Sequence, residues 1–278
     1  MKPVVFYTPA MVAEVHSFSP SARKPREVVA SWQQVAPALE VRAPIPVRID
    51  EFCLAHERDY VEGVLSLRHP NGFGTRDAAV AASLPYTSGA MLSAARHALV
   101  DGVAAAACSG FHHAGFYDAH GFCTFNGLMV TACVLKTEGV VRRVGILDAD
   151  HHYGDGTDSI IDVLNLDWVS HYTVGKSWHR PSQAEAFLAA LPGLMERFAD
   201  CDLLLYQAGA DPHIDDPLGG WLTDAQLAER DRLVFSACRE RKLPVAWNLA
   251  GGYQSPLRKV LDIHDATLRE CIAAYSST

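Results

Sequence analysis

Residues 144–152 read VGILDADHH, an apolar run that ends in two carboxylates and two imidazoles. Because alternate residues of an extended strand face the same side, Asp148, Asp150 and His152 are expected to point one way. Three such groups are costly to bury unless a cation balances their charge. Oxygen and nitrogen donors suit a divalent metal such as zinc, which takes three protein ligands in a catalytic site. The stretch therefore predicts a strand that ends in a metal site, and His151, which points the other way, is expected to be structural.

The composition sets the broad class of the protein. The chain has 278 residues, of which 49% are hydrophobic, enough for one large α/β domain or two smaller ones. Its net charge of −8 argues against general nucleic-acid binding, which requires a basic face. No stretch approaches the ~20 apolar residues of a membrane span, and the first apolar run is too short for a secretory signal. The seven cysteines form no CxxC pair, which favours a reduced, cytoplasmic setting.

Short apolar runs alternate with longer helical patterns along the chain. This alternation is typical of an α/β fold with a mostly parallel central sheet and helices on both faces. Because no repeat, linker or composition shift interrupts it, a single domain over residues 1–278 is expected. Residues 19–26 and 69–76 are expected to be surface loops. The predicted strands are residues 4–7, 103–108, 144–147, 203–206 and 244–249, and the predicted helices are residues 88–100, 128–137, 184–198, 224–241 and 256–275.

Polar motifs follow four of these predicted strands, at the point where each strand ends. They lie at residues 109–113, 148–155, 207–211 and 250–253. In open parallel sheets, ligands bind in the crevice beyond the carboxyl ends of the strands. The four motifs are therefore expected to converge on one site. Together they are stronger evidence for this site than any one motif alone.

His112 and His113 could be two ordinary loop histidines. Beside a metal, they would instead provide a proton acceptor and a second group that manages charge. Each would then need a carboxylate to set its tautomer, and Asp148 and Asp155 are available for that role. Asp211 follows a strand and precedes a proline, so it could be a turn residue, but its position makes it the expected third metal ligand.

Two aromatic residues could serve either function or packing. Tyr253 follows two glycines and could fill the core or donate a hydrogen bond to a developing oxyanion. Phe122 could line a slot for an apolar chain or pack in the core.

Asn126 is expected to cap the helix that follows it. Three nearby cysteines are expected to be small core residues rather than nucleophiles: Cys108, Cys123 and Cys133.

Six motifs in order resemble those of the zinc-dependent histone deacetylase family, within the arginase/deacetylase fold. The match covers most of the chain from about residue 85 onward and suggests a compact, bacterial-type deacetylase-like amidohydrolase. The motifs are HHAG at 112–115, GFCTFN at 121–126, DADHHYGDGT at 148–157, GADP at 209–212, DPLG at 216–219 and GGY at 251–253.

The resemblance implies a role for each site residue. Zinc would be held by Asp150, His152 and Asp211, so Asp148 moves out of the ligand set. His113 would act as the general base and then as the general acid, and Tyr253 would polarise the amide carbonyl. Asp148 would pair with His112, and Asp155 would pair with His113. His112 would act mainly electrostatically.

The resemblance also implies a potassium ion near the zinc and an aromatic substrate channel. The potassium site would include Asp148, Ser170 and His171. Phe122, which follows Gly121, would form one wall of the acyl-lysine channel.

The chain departs from the family pattern at two places near the channel. The Pro-Gly that normally precedes the histidine pair is replaced by Gly110-Phe111. The loop that usually reads Pro-Gly-Thr-Gly is absent, and residues 173–181 form a short segment instead. The opposite channel wall is therefore expected from Trp178 or His179, and the substrate stays open.

The sequence thus predicts a zinc-dependent amidohydrolase that removes an acyl group, in the first instance acetyl, from an acylated primary amine such as acetyl-lysine or an acetylpolyamine. A binuclear manganese ureohydrolase of the same fold is an alternative, which the paired histidines and Tyr253 argue against. A non-catalytic module that binds acylated ligands is another, and the intact ligand set weighs against it. The expected partner is the acylated amine, without nucleic acid or membrane, and a homo-oligomer is compatible with the sequence.

Overall fold

Seven strands form one sheet at the centre of the computed structural model, which describes residues 4–276. The strands are β1 Val4–Phe6, β2 Glu40–Arg42, β3 Val103–Ala106, β4 Val144–Asp148, β5 Val169–Thr173, β6 Leu203–Gly209 and β7 Val245–Ala250. Their order across the sheet is β2-β1-β3-β7-β6-β4-β5, and neighbouring strands are parallel throughout. This confirms the predicted α/β class with a parallel sheet.

Helices cover both faces of the sheet. The α-helices are α1 Lys24–Val35, α2 Ile49–Phe52, α3 Arg58–Leu65, α4 Ala78–Asp101, α5 Gly127–Thr137, α6 Asp155–Leu164, α7 Ala184–Met195, α8 Asp224–Arg241 and α9 Arg258–Ser276. Alternate residues of one strand enter different cores, since Val4 and Phe6 join one cluster and Val5 joins the other. The first core packs against α3, α4 and α5, and the second against α1, α7, α8 and α9. Burial on both faces explains why most strands read as continuous apolar runs.

The five strands and five helices predicted from the sequence are all present, with some different ends. Helix α4 begins at Ala78, ten residues before the predicted start, because the Asp77 carboxylate accepts hydrogen bonds from the N–H groups of Ala79 and Val80 at 2.8 and 3.0 Å. The sequence does not predict β2 or β5. Both lie at sheet edges, where half-exposed polar residues interrupt the apolar pattern.

The structure corrects the expectation of a surface loop at residues 19–26. Ser19 is buried, and helix α1 begins at Lys24, whose side chain is fully buried. Pro25 lies in the first turn of the helix, where its missing N–H costs nothing. Because lysine is rarely buried, this charged stretch resembles a loop although the chain forms the buried start of a helix.

The strand order brings the polar motifs to one end of the sheet. Asp148 of β4 lies beside Gln207 of β6, and Gln207 lies beside Asn248 of β7. Asn248 pairs in turn with Ala106 of β3. The segments that follow these four strands therefore leave the sheet side by side, as the sequence predicts. No helix within residues 4–276 is long and apolar enough to cross a membrane.

A buried arginine holds the ends of two of these strands together. Arg230 of α8 donates hydrogen bonds to the carbonyl oxygens of Gly209 at 2.8 Å and Ala149 at 3.2 Å. Its Nε also donates to the Asp231 carboxylate at 2.8 Å, and both side chains are buried. Gly209 and Ala149 immediately precede the segments that carry the predicted metal ligands. Arg230 therefore links the packing of α8 to the geometry of the site.

Replacing Arg230 tests this link. Arg230→Met leaves the Asp231 carboxylate buried without its cation, so we expect the free energy of unfolding to fall by about 3–5 kcal/mol. The measurement is urea denaturation followed by circular dichroism. Arg232→Met is the matched control, since Arg232 is 52% exposed and pairs with Glu229 on the surface, and it should cost less than about 1 kcal/mol. Equal losses for the two variants would contradict a structural role for Arg230.

Candidate metal centre

Asp150, His152 and Asp211 form a compact group of metal-binding atoms. One ligand atom from each residue lies within 4.8 Å of the other two. His152 Nδ1 is 3.1 Å from Asp150 Oδ1 and 3.0 Å from Asp211 Oδ2. Both carboxylates are buried, whereas His152 is partly exposed. Two carboxylates and one imidazole with an open side fit a divalent cation such as zinc.

The backbone that carries Asp150 and His152 differs from the extended strand that the sequence predicts. Strand β4 ends at Asp148, so Asp150 and His152 lie in the turn that leads into α6 and not on an extended strand. The turn is stabilised locally, because the His152 N–H donates to Asp150 Oδ1 at 2.9 Å and the Asp150 N–H donates to Asp148 Oδ1 at 3.2 Å. The strand-alternation argument is therefore wrong beyond Asp148, although it identified the correct segment.

The charges in the group are unbalanced. Burial and the neighbouring Asp150 raise the pKa of Asp211 above its usual range. Burial also opposes ionisation of Asp150, but His112 and His152 outweigh it and hold its pKa well below the usual range. Hydrogen bonds to the two carboxylates raise the pKa of His152 to about 10. A divalent cation would supply the positive charge that these carboxylates otherwise draw from the His152 imidazolium.

Lys24 is a nearby charge that the sequence analysis missed. Its ammonium donates a hydrogen bond to the carbonyl oxygen of Gly251. Burial lowers the pKa of Lys24 to about 8, while Asp211 and Asp150 oppose that shift. The lysine thus ties the end of β7 to the start of α1 beside the metal-binding group. Only the tertiary fold reveals this position, since nothing local in the sequence marks Lys24 as buried.

The first histidine of the pair is held by a buried carboxylate. His112 Nδ1 lies 2.7 Å from Asp148 Oδ2, and Gln207 donates to Asp148 Oδ1 at 2.9 Å. Burial would lower the pKa of His112, but Asp148 and Asp150 outweigh it and raise the pKa to about 9. His112 is therefore the charged member of the pair near neutral pH.

The second histidine has the opposite character. His113 Nδ1 lies 2.6 Å from Asp155 Oδ1. Burial and the neighbouring His112 lower the pKa of His113, and the hydrogen bond to Asp155 only partly offsets this. The neutral imidazole would donate from Nδ1 to Asp155 and keep a lone pair on Nε2. Two adjacent histidines with opposite pKa shifts can divide the roles of a fixed charge and a proton acceptor.

Tyr253 lies in the same narrow cavity as the metal-binding group. The cavity has a volume of about 10 Å³, on the scale of one water molecule, and its lining includes His112, Asp150, Phe122 and Tyr253. The Tyr253 N–H donates to Asp216 Oδ2 at 2.8 Å, which fixes the backbone of the loop. Burial, followed by Asp211 and Asp150, raises the pKa of the Tyr253 phenol, so it stays a hydrogen-bond donor.

Two phenylalanines pack against Tyr253, and one of them, Phe122, lines this cavity. The Phe122 ring centre is 6.0 Å from that of Tyr253, and its backbone adopts a positive φ of 64°. The Phe18 ring stacks on Tyr253 at 5.7 Å with an angle of 10° between the planes, and it is 62% exposed. Gly121, with a φ of 55°, packs against the His113 ring, where a Cβ would lie 2.5 Å from Cδ2. The predicted wall Phe122 is thus placed at the site.

The structure places Trp178, one of the two residues expected to form the opposite wall, in the core. Trp178 packs on Phe187 with ring centres 5.5 Å apart and donates to the Tyr172 hydroxyl, so it belongs to the core. The His179 ring is 6.4 Å from that of His151. Phe18 stacks on Tyr253 from the N-terminal segment that precedes α1. Its position depends on packing between distant parts of the chain, which no local motif indicates.

The structure also corrects the residues predicted for potassium. Ser170 and His171 pair in register with Gly145 and Ile146, upstream of Asp148. Thr173 lies beside Asp148. The Ser170 hydroxyl is directed to the Arg197 carbonyl, and His171 Nδ1 is 2.7 Å from Asp158 Oδ1. The structure therefore does not bring Ser170 or His171 to Asp148, because the matching serine motif sits too early in β5.

The remaining residues singled out in the sequence have structural roles. Asn126 caps α5 by accepting the Met129 N–H at 3.1 Å, as expected. The N–H of His151 donates to Asp211 Oδ1 at 3.1 Å, which orients that carboxylate. Cys108, Cys123 and Cys133 are buried, and burial raises the pKa of each thiol, which agrees with core packing.

Comparison with known proteins finds relatives across most of the chain. The family profile described as the histone deacetylase domain matches residues 21–173 and 169–268. An uncharacterised protein of Picosynechococcus is 31% identical over 246 residues, which cover 79% of this chain and 78% of that protein. Histone deacetylase 2 of Arabidopsis thaliana is 26% identical over 193 residues, which cover 62% of this chain. The matched region covers 50% of the length of that relative.

Solved structures show the same fold. The crystal structure of acetylpolyamine aminohydrolase from Burkholderia pseudomallei has a TM-score of 0.78 to this chain at 17% identity. The superposition covers 98% of this chain and 99% of that one. The agreement therefore extends over the whole sheet and both helical layers.

Gly251 offers a test of the metal-binding group. A Cβ there would lie 2.2–2.4 Å from the Asp211 carboxylate, and the φ of 48° is unfavourable for other residues. We expect Gly251→Ala to displace Asp211 and to weaken zinc binding at least about tenfold, measured by equilibrium dialysis. Gly139→Ala is the control, since Gly139 has a φ of 71° but a Cβ there would meet no atom within 4 Å. Unchanged zinc affinity in Gly251→Ala would contradict Asp211 as a ligand.

Proposed function

The chain belongs to the histone deacetylase domain family, and we propose that it is a zinc-dependent amidohydrolase that removes an acyl group, in the first instance acetyl, from a primary amine. The observation that carries this proposal is the cluster of two aspartates and a histidine, whose Asp150 lines one cavity with His112 and Tyr253, together with the His112–Asp148 and His113–Asp155 pairs. Each group supplies a separate requirement of amide hydrolysis: a cation site, a proton acceptor and an oxyanion donor.

Zinc is the proposed ion, held by Asp150, His152 and Asp211. The donor chemistry supports it, since the group combines two carboxylate oxygens with an imidazole nitrogen. When bound, zinc would supply Lewis acidity that activates water and polarises the amide carbonyl. A potassium ion stays a prediction without an assigned ligand set.

His113 is the proposed proton carrier. Its Nδ1–H is held by Asp155, so Nε2 can accept the proton of the attacking water. The lowered pKa keeps His113 neutral at the start of the reaction. The imidazolium formed in this way can then donate the same proton to the leaving amine. His112, held charged by Asp148, would stabilise negative charge in the cleft without transferring a proton.

Tyr253 and the aromatic residues are proposed to orient the substrate. The phenol of Tyr253 would donate a hydrogen bond to the amide oxygen as negative charge develops there. Phe122 and Phe18 pack against the Tyr253 ring, and both are proposed to contact the aliphatic chain of the amine.

Two substrate classes share this chemistry, acyl-lysine in a peptide and an acylated polyamine. The names of a histone deacetylase and an acetylpolyamine aminohydrolase among the similar proteins support both. The test is a panel of acetyl-lysine peptides and acetylpolyamines with the zinc-loaded protein. Release of acetate from either class supports the proposal, and no release from any member favours a non-catalytic binding module. Two manganese ions per chain with ureohydrolase activity would favour the other hydrolase class.

We also propose a reducing, cytoplasmic setting for the protein, since all seven cysteines are free thiols in the structure.

Replacing the phenol tests the role of Tyr253. Tyr253→Phe removes one oxyanion donor, so we expect turnover to fall by about 10²–10³-fold while the zinc content is unchanged. The measurements are acetate release at saturating substrate and metal analysis of the same sample. Tyr117→Phe, at an exposed tyrosine, is the control and should keep its turnover. Unchanged turnover of Tyr253→Phe would rule out the assigned role.

The pH dependence tests His113 as the base. Because the base must be neutral, kcat/KM should rise with pH through the pKa of His113, which lies below the ordinary value of 6.5. Asp155 stabilises the imidazolium, so Asp155→Asn should move this acid limb to still lower pH and reduce turnover by roughly tenfold or more. Asp162→Asn, at an exposed position of the same helix, is the control. An acid limb that stays in place or moves to higher pH in Asp155→Asn would contradict the pairing.

A further inference from the structure

A second group of metal-binding side chains lies next to the proposed base. His113, His120 and Asp155 each offer one ligand atom, and these atoms lie within 4.8 Å of one another. None of the three is among the proposed ligands of the first site. We propose that they form a second divalent-cation site, which binds zinc or a similar transition-metal ion and thereby inactivates His113.

The distances fit such a site. Asp155 uses its two oxygens separately, since Oδ1 is 2.6 Å from His113 Nδ1 and Oδ2 is 3.2 Å from His120 Nε2. The ring centres of the two histidines are 5.0 Å apart. Tetrahedral zinc with bonds of about 2.0–2.2 Å separates its ligand atoms by about 3.3–3.6 Å. The two Asp155 contacts, 2.6 and 3.2 Å, differ from this separation by about 1 Å or less, a difference that side-chain rotation can supply.

The loop that carries His120 is held against His113. The His120 carbonyl accepts the Cys123 N–H at 2.8 Å, which closes a tight turn. Gly121 lies within this turn, and a Cβ there would overlap the His113 ring. Only glycine therefore allows His120 to lie this close to His113. His120 and Asp155 have exposed side-chain fractions of 47% and 42%, so an ion can enter and keep water in the fourth position.

Binding at this site changes the tautomer of His113. The neutral imidazole carries its proton on Nδ1 and holds a lone pair on Nε2. When a cation takes Nδ1, that proton is exchanged through solvent to Nε2, and the ring stays neutral. His113 then has no lone pair with which to accept a proton from water. Excess zinc would thus stop turnover while the first site remains filled.

The binding claim stands without the proposed function, whereas the inhibition claim rests on it. The experiment therefore has two readouts on the full chain loaded with one equivalent of zinc. Equilibrium dialysis against increasing ZnCl₂ with metal analysis counts bound ions, and acetate release measures turnover at each concentration. We expect the wild type to take up a second, weaker equivalent and to lose turnover as that equivalent binds.

His120→Gln removes one of the three ligands. We expect it to raise the dissociation constant of the second zinc, and the zinc concentration that halves turnover, by at least about tenfold. His69→Gln is the matched control, because His69 is also partly exposed, 41%, and its Nε2 lies 3.5 Å from a surface carboxylate, Asp59. It should behave like the wild type.

Three outcomes would overturn the site: a single zinc per wild-type chain, equal second-zinc affinity in His120→Gln, or the same loss in His69→Gln. A protein that binds the second zinc through His120 but cleaves no acylated amine would retain the site and refute the proposed function alone. A second zinc that binds through His120 without reducing turnover would overturn the inhibition.

Discussion

Two buried carboxylates that face each other determine the architecture around the site. Asp150 and Asp211 come from separate strand ends, and the charge of Asp150, together with burial, raises the cost of ionising Asp211. In the protein chain alone, the positive groups that balance this charge include the His152 imidazolium, whose pKa is raised to about 10. A divalent cation would serve both carboxylates at once and allow His152 to bind as a neutral ligand. We infer that the surrounding contacts serve to keep this cation site in place.

Those contacts come from several elements. Arg230 binds the carbonyl oxygens of Ala149 and Gly209, which precede the two aspartates in the chain. Lys24 binds the carbonyl of Gly251, whose lack of a side chain lets the β7 loop approach Asp211. A buried guanidinium and a buried ammonium thus lie near the carboxylates. Both positive charges reduce the cost of burying this group.

The sequence predicted the parts of the fold and the site that a local pattern of residues marks. Five strands follow from apolar runs, because parallel strands covered on both faces need apolar residues at every position. The convergence of His112, His113, Asp150 and Asp211 follows from the end of the sheet where their strands finish. Their catalytic roles stay predictions, since the fold fixes their distances and not their reactivity.

Residues placed by tertiary packing could not be found in this way. Lys24 and Phe18 reach the site from the N-terminal segment, far from every motif that marks it. Ser170 matched a motif by composition, but the register of β5 places Thr173 beside Asp148. Edge strands such as β2 gave no signal, because their exposed faces carry polar residues.

The central claim, that a cation balances Asp150 and Asp211, is tested most directly by thermal unfolding of the metal-free protein with increasing zinc. We predict that the unfolding temperature of the wild type rises steadily with zinc concentration, as expected for a ligand that binds only the folded state. Asp211→Asn should fold without zinc and show little such rise at zinc concentrations below those that fill the proposed second site. An unfolding temperature that does not respond to zinc, or that responds equally in Asp211→Asn, would contradict the account.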